Sequence, residues 1–144
     1  KAFSFPRAML DRDDFSFSFA GLKTAVLYEL RKNENRLLDD VFRSDVSASF
    51  QEAVVDVLVQ KTMRAVGKYS PKSIVLAGGV AANIALRDSL TNTAMAVNVP
   101  VHLPDFKYSL DNAAMIGTAG YYKALRNISI DPTELTADPN LDIV

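Results

Sequence analysis

Residues 73–90 read SIVLAGGVAANIALRDSL, and this stretch decides the fold. It opens as an apolar run rich in β-branched residues, closes on the pair Gly78–Gly79, and continues with Val80, Ile84 and Leu90 among its apolar positions. The pattern predicts a strand, a tight turn and a helix. Residues 95–104, MAVNVPVHLP, follow as a second strand bounded by Pro100 and Pro104. Strand, helix and strand in sequence form a parallel crossover unit, expected to be right-handed. The predicted fold class is therefore α/β, with helices packed on a small mixed sheet.

Working outward, a long helix is predicted upstream from about Asp45 to Lys68. Phe50, Ala53, Val54, Val57, Leu58 and Ala65 make its stripe, and Val55, Val59, Met63 and Val66 widen it. Such breadth implies burial on more than one side. Asp45 reads as its N-cap, Ser49 and Glu52 have capping-box spacing, and Gly67 and Pro71 end it. A short amphipathic helix over Gly21–Arg31 carries Leu22, Ala25, Val26 and Leu30. At the start of the chain, KAFSF and DDFSFSF alternate aromatic and serine positions, the pattern of strands with one apolar face. Downstream, DNAAMIGTAGYYKAL over Asp111–Leu125 predicts a last helix rich in small residues. The tail carries Asp131, Glu134, Asp138 and Asp142, no bases and two Asp-Pro steps, and reads as an extended strap or frayed end. The expected organisation is a lobe over residues 1–130 and an acidic extended tail over residues 131–144.

Composition bounds the chemistry. The 144 residues are 49% apolar and 23% charged, with 16 basic and 17 acidic side chains, one His and no Cys or Trp. A chain of this length buries roughly two thirds of its unfolded surface, enough for one core without cross-links. Without cysteine there is no disulfide, thiolate zinc site or thiol nucleophile, and one imidazole cannot build a multi-histidine metal site. Any metal must share ligands with another chain or with residues absent from this one. A net charge of −1 argues against this piece binding nucleic acid alone. The longest apolar run, Ile74–Ala82, has nine residues, against the ~20 of a membrane span. With no signal peptide and no cysteines, a cytoplasmic location is expected. The first residue is Lys1 rather than Met, so the sequence reads as an excerpt or a processed piece of a longer chain.

Three stretches could carry chemistry. At Leu76–Arg87, glycines at a strand's carboxyl end let backbone approach a ligand, and the following helix aims its unpaired N–H groups at the same place. Nucleotides bind well there, and Asn83, in the first turn, can donate to ribose hydroxyls and accept from a ligand donor. Equally, Gly78 and Gly79 could serve only a tight connection, since G-x-G-x-x-G is absent. In YSLDNAAMIGTAG, Asp111 immediately before a helix is either its N-cap or, facing a crevice, a metal ligand with Asn112 in support. In FSFAGLKTA, Ser18, Lys23 and Thr24 stand near a helix start, and Lys23 reads as a solvated lysine. His102, beside two prolines, reads as a surface residue. No Ser/His/acid triad and no HExxH is present.

FSFAGLKTAV, SASFQEAVVDVLVQKT, LAGGVAANIALR and YSLDNAAMIGTAGYY, in this order, resemble the carboxyl-terminal part of the TsaD family, also called Gcp or YgjD in bacteria and Kae in archaea and eukaryotes. The resemblance runs from about Phe15 to Tyr122. It implies the actin, sugar-kinase and heat-shock-ATPase (ASKHA) fold, here as a partial second lobe. It also implies a tRNA threonylcarbamoyladenosine transferase, which moves the threonylcarbamoyl group from threonylcarbamoyl-AMP to the adenosine beside the anticodon in tRNAs reading ANN codons. By resemblance, Asn83 contacts the adenylate, Gly78 and Gly79 line the adenosine pocket, and Asp111 ligates an iron or zinc ion. No catalytic residue is assigned. The family's other metal ligands, histidines of an HxxxH motif, are absent from this chain, so it is expected to be about half of such an enzyme and inactive alone. Ala20 stands where the family has Ser, and Leu110 where it has Thr; neither position is assigned to binding. The implied ligand is an adenylate or ATP, and the implied partners are TsaB-like and TsaE-like proteins, tRNA through the full assembly, and a second copy of the fragment through uncovered apolar faces.

The alternative is a non-catalytic TsaB-like module of the same fold that acts by dimerisation. The retained Asp111 and Asn83 speak against it, since such a module has no chemical need of either. The old label of O-sialoglycoprotein endopeptidase finds no support in the residues. A sugar kinase or heat-shock-type ATPase would share the glycine pair but leave the DNAAMI helix start unexplained.

Overall fold

A computed structural model describes residues 2–137. The chain divides into two compact units, Lys1–Ser109 and Leu110–Val144.

In the first unit, α1 (Ala20–Lys32) leads through a 3-10 turn to α2 (Asp40–Tyr69), the 30-residue spine. α2 starts earlier than the Asp45 cap predicted. Asp39 takes an extended backbone and its carboxylate accepts from the N–H groups of Val41 and Phe42 at 2.9 and 3.3 Å. The Phe42 N–H and the Arg36 guanidinium hold that carboxyl below its ordinary pKa. Asp45 and the Ser49/Glu52 pair fall inside the helix, because Phe42 and Val46 already belong to its buried stripe. Ser49 does not cap a helix; its Oγ accepts the Phe3 N–H at 3.2 Å.

The breadth of that stripe is explained by two clusters. Phe42, Val46 and Ala53 pack with Leu22 of α1 and with Phe5, while Val55 and Val59 pack with Leu86 and Leu90 and with the half-buried Ile74, Leu76 and Val101. α2 thus carries burial on two sides, as its sequence predicted. It ends at Ser70, which takes a left-handed backbone (φ 46°), with Pro71 next. Gly67 lies inside the last turn, with nothing within 4 Å of where a Cβ would stand. Gly67→Ala should therefore raise stability by about 0.5–1 kcal/mol, read as a higher urea midpoint at constant slope. A lower midpoint would mean that this last turn is not helical.

The crossover unit is present but short. β1 (Ile74–Val75) pairs in parallel with β2 (Val101–His102), in the register Ile74 to Val101 and Val75 to His102, and α3 (Ile84–Met95) connects them. Backbone chemistry trims both ends. Pro100 has no N–H, Asn98 takes φ 58° as the chain turns out of α3, and Gly78 leaves the extended region altogether. Among the described residues the sheet is two-stranded and parallel rather than mixed. KAFSF and DDFSFSF form no strand there. Alternation does mark sidedness, since Phe5 is buried and Ser4 exposed, but Phe3 and Phe5 lie against helix α2 instead of a neighbouring strand. Arg7 anchors the same segment, with Nε and Nη2 3.1 and 2.7 Å from one Asp56 oxygen.

A second anchor grips residues 10–16. Lys61, 3% exposed, donates to the carbonyls of Asp14 and Ser16 at 3.0 and 2.7 Å, and Arg64 donates to those of Leu10 and Arg12. A buried ammonium is tolerated because carbonyl oxygens replace its water, with the Asp14 carboxylate 3.6 Å away.

In the second unit, α4 (Ala113–Leu125) is capped by Asn112, and none of its residues is buried. Residues 131–137 hold a turn in which the Asp131 side chain accepts from the Thr133 N–H at 2.8 Å. Asp138 and Asp142 of the expected tail lie outside the described residues. No helix among the described residues is long and apolar enough to cross a membrane.

Candidate functional site

The corner after β1 is built on Gly78, whose φ of 86° and ψ of 174° fall where only glycine is at ease. Gly79–Ala82 then form one 3-10 turn, closed by Ala81 N–H to Gly78 carbonyl at 2.9 Å and Asn83 N–H to Val80 carbonyl at 3.0 Å. Gly78 thus supplies a backbone that no other residue supplies cheaply, and Gly79 starts the turn. Asn83 is the N-cap of α3 rather than part of its first turn. Its Oδ1 accepts the Leu86 N–H at 2.9 Å, and its Nδ2 donates to Gln51 Oε1 at 2.9 Å. One lone pair of the amide oxygen is committed to the helix. What remains for a ligand is the second Nδ2 hydrogen and the other Oδ1 lone pair, on an amide whose orientation the two bonds fix.

Asn83 stands on the wall of a groove of about 690 Å³, within the range of small-molecule sites. Three segments wall it: Phe17 and Phe19 before α1, Phe50 and Val54 on α2, and Ala77 and Val80 at the glycine corner. The surface is apolar, and its polar groups include Lys23, Gln51 and Asn83. Lys23 is exposed, as its sequence reading has it, and it also lines this groove. The arrangement suits a flat apolar ring with a polar, negatively charged appendage. Gln51 is legible in sequence only as a polar break in an apolar helical stripe, and Phe17 and Phe19 only as alternating aromatics.

Behind the corner, the Arg87 guanidinium reaches the carbonyls of Ala81 and Pro104, with Cζ 4.1 Å from the centre of the Phe106 ring. His102 is exposed on β2.

In the second unit, Asp111 is not the N-cap of α4. Asn112 takes that place, with extended backbone and Oδ1 accepting the Met115 N–H at 3.1 Å. Capping needs the residue adjoining the first helical position, and Asp111 is one too early. Its carboxylate is exposed and makes no hydrogen bond or ion pair among the described residues. No three His, Asp or Glu side chains come together among the described residues. One carboxylate is fewer than the three protein ligands a catalytic metal takes, so these residues do not form a metal site by themselves.

Comparison with known proteins covers nearly all of the chain. The tRNA N6-adenosine threonylcarbamoyltransferase of Thermotoga neapolitana is 47% identical over 143 residues, 99% of this chain and 42% of that protein. The protein of the same name from Thermosipho africanus is 47% identical over 98% of this chain and 42% of its own length, and that of Moorella thermoacetica 46% identical over 99% and 41%. The chain therefore spans about two fifths of the curated relatives it matches. The sequence model of the TsaD family, described as tRNA N6-adenosine threonylcarbamoyltransferase, matches residues 1–118. With four motifs in order, a glycine corner beside an apolar groove, and a match over most of its length, the chain belongs to the TsaD family.

Proposed function

We propose that the protein of which this chain is part is a tRNA N6-adenosine threonylcarbamoyltransferase, and that this chain supplies the adenylate side of its site. One observation carries the reading: a corner with a glycine-only backbone leads into a turn whose capping residue, Asn83, keeps one free donor on the wall of an apolar groove large enough to hold an adenosine. The name carried by the relatives supports it. The parallel β1–α3–β2 unit with a ligand corner at the strand's carboxyl end supports an ASKHA lobe.

In the reaction, the exocyclic amine of the adenosine beside the anticodon attacks the carbonyl carbon of threonylcarbamoyl-AMP. The bond from that carbon to the phosphate oxygen breaks, AMP leaves, and the amine nitrogen gives up one proton. The residues of this chain bind and orient. The apolar walls take the adenine of the adenylate and keep water away, Asn83 Nδ2 donates to the ribose, Gly78 and Gly79 let the backbone come close, and Lys23 sets an ammonium toward the anion. We assign Asp111 as one ligand of an iron or zinc ion whose further ligands lie outside this chain. On this reading the chain alone is inactive and self-associates, the protein is cytoplasmic, and it works with TsaB-like and TsaE-like partners on tRNA.

The test is threonylcarbamoylation of tRNA by the intact protein. Asn83→Ser keeps an oxygen to cap α3 but exchanges the amide donors for a shorter hydroxyl that reaches neither Gln51 nor the ribose, so the KM for the adenylate should rise about tenfold, while the loss of the exposed Gln51 bond moves the melting temperature little. Asn83→Ala should add a stability loss of about 1 kcal/mol for the missing cap. Wild-type kinetics in both Asn83→Ser and Asp111→Ala would overturn the assignment.

A further inference from the structure

We infer that Arg87 is a positioning residue for the adenylate groove, fixing the turn that carries Asn83 against the segment that follows β2; this rests on the adenylate reading above. Arg87 Nε donates to the carbonyl of Ala81, in the 3-10 turn. One terminal nitrogen donates to the Pro104 carbonyl at 2.8 Å and reaches Ser109 Oγ at 3.4 Å. Its Cζ lies over the Phe106 ring, and Ser109 is 3% exposed. Among the described residues no carboxylate pairs with this guanidinium. It is committed to main-chain oxygens, a buried hydroxyl and a ring, the mode in which the planar fork of arginine differs most from the single ammonium of lysine.

Arg87 does not line the groove; Val80, Ala81 and Asn83 do. It acts through them. The turn is otherwise closed by the two short-range bonds of Ala81 and Asn83 and by burial of the Ala81 methyl, and the Asn83–Gln51 bond ties it to α2. The two short-range bonds lie inside the turn and say nothing of where it sits, and the Gln51 bond places it against α2 alone. Arg87 supplies the second reference, since its other contacts are on residues 104–109, beyond β2.

The experiment uses the intact protein with Arg87→Lys, Arg87→Met and the comparison variant Asn83→Ser, measured by adenylate KM, kcat and amide hydrogen exchange. In both Arg87 variants the amides of Ala81 and Asn83 should exchange about tenfold faster while those of Val55, Val57 and Val59 on α2 keep wild-type rates. Adenylate KM should rise about tenfold with kcat within about twofold, and lysine should not rescue it. Unchanged exchange at Ala81 and Asn83 would overturn the inference. So would equal acceleration on α2, which would make Arg87 a residue of the fold as a whole, or faster exchange in the turn with an unchanged KM. If Asn83→Ser also leaves KM unchanged, the adenylate reading itself fails and takes this inference with it.

Discussion

Gly78→Ala in the intact protein is expected to weaken adenylate binding by roughly 5- to 150-fold. The cause is backbone alone. Nothing lies within 4 Å of the position a Cβ would take, so no neighbour is struck. The conformation is the obstacle: φ 86° with ψ 174° is a region that L residues enter at a cost of about 1–3 kcal/mol. An alanine corner either keeps that shape and loses the energy from stability, or relaxes and must be driven back when ligand binds. In the second case the same free energy appears as the loss of affinity given above, at about 1.4 kcal/mol per tenfold. Equilibrium titration with AMP and urea unfolding, done on the same samples, divide the two. A semisynthetic protein with D-alanine at position 78 gives the decisive comparison, because a D residue is at ease at positive φ. Failure of D-alanine to restore what L-alanine removes would mean that the corner is not held as described.

The second large effect concerns the core. Phe42 is 0% exposed, its ring meets Phe3 edge to face at 5.7 Å, and the Arg36 guanidinium lies 4.8 Å above it. Phe42→Ala should cost about 3–5 kcal/mol, combining lost transfer energy with the cavity left between α1, α2 and the first residues of the chain. Against a typical total of about 5–15 kcal/mol, that leaves a marginal protein. Four residues away, Leu38 is 90% exposed, so Leu38→Ala should stay within about 0.5 kcal/mol of wild type and shows what a large apolar side chain is worth without burial. Urea midpoints at constant slope measure both. A Phe42→Ala shift no larger than that of Leu38→Ala would place the core elsewhere.

How much of this is legible in the sequence differs residue by residue. The glycine corner and the helix after it are, because Gly-Gly after a β-branched run leaves few alternatives, and Asn83 stands out there at a position where it has two structural partners. The long helix is legible in its middle but not at its start. Asp39, Asp45 and Ser49 all carry capping chemistry, and what chooses among them is the depth of Phe42, a tertiary fact. The aromatic–serine alternation of KAFSF tells which side chains turn inward but not what they meet, since a strand exists only with a hydrogen-bonded neighbour. At Asp111 the expected cap is off by a residue, because adjacent Asp and Asn are equally good caps and only backbone dihedrals separate them. Arg87 and Gln51 give no sequence signal as contributors to the site: an arginine bonded to carbonyls has no partner that spacing can reveal.

The grip of α2 on residues 10–16 has a consequence for how the chain tolerates change. Lys61 and Arg64 hold that loop by its carbonyl oxygens, which every amino acid carries. The side chains of Asp11 and Asp13 can thus be exchanged without touching the fastening. The two cations have no such freedom. Sequence drift in this part of the molecule should accordingly be lopsided, wide on the loop and narrow at two helical positions some fifty residues away.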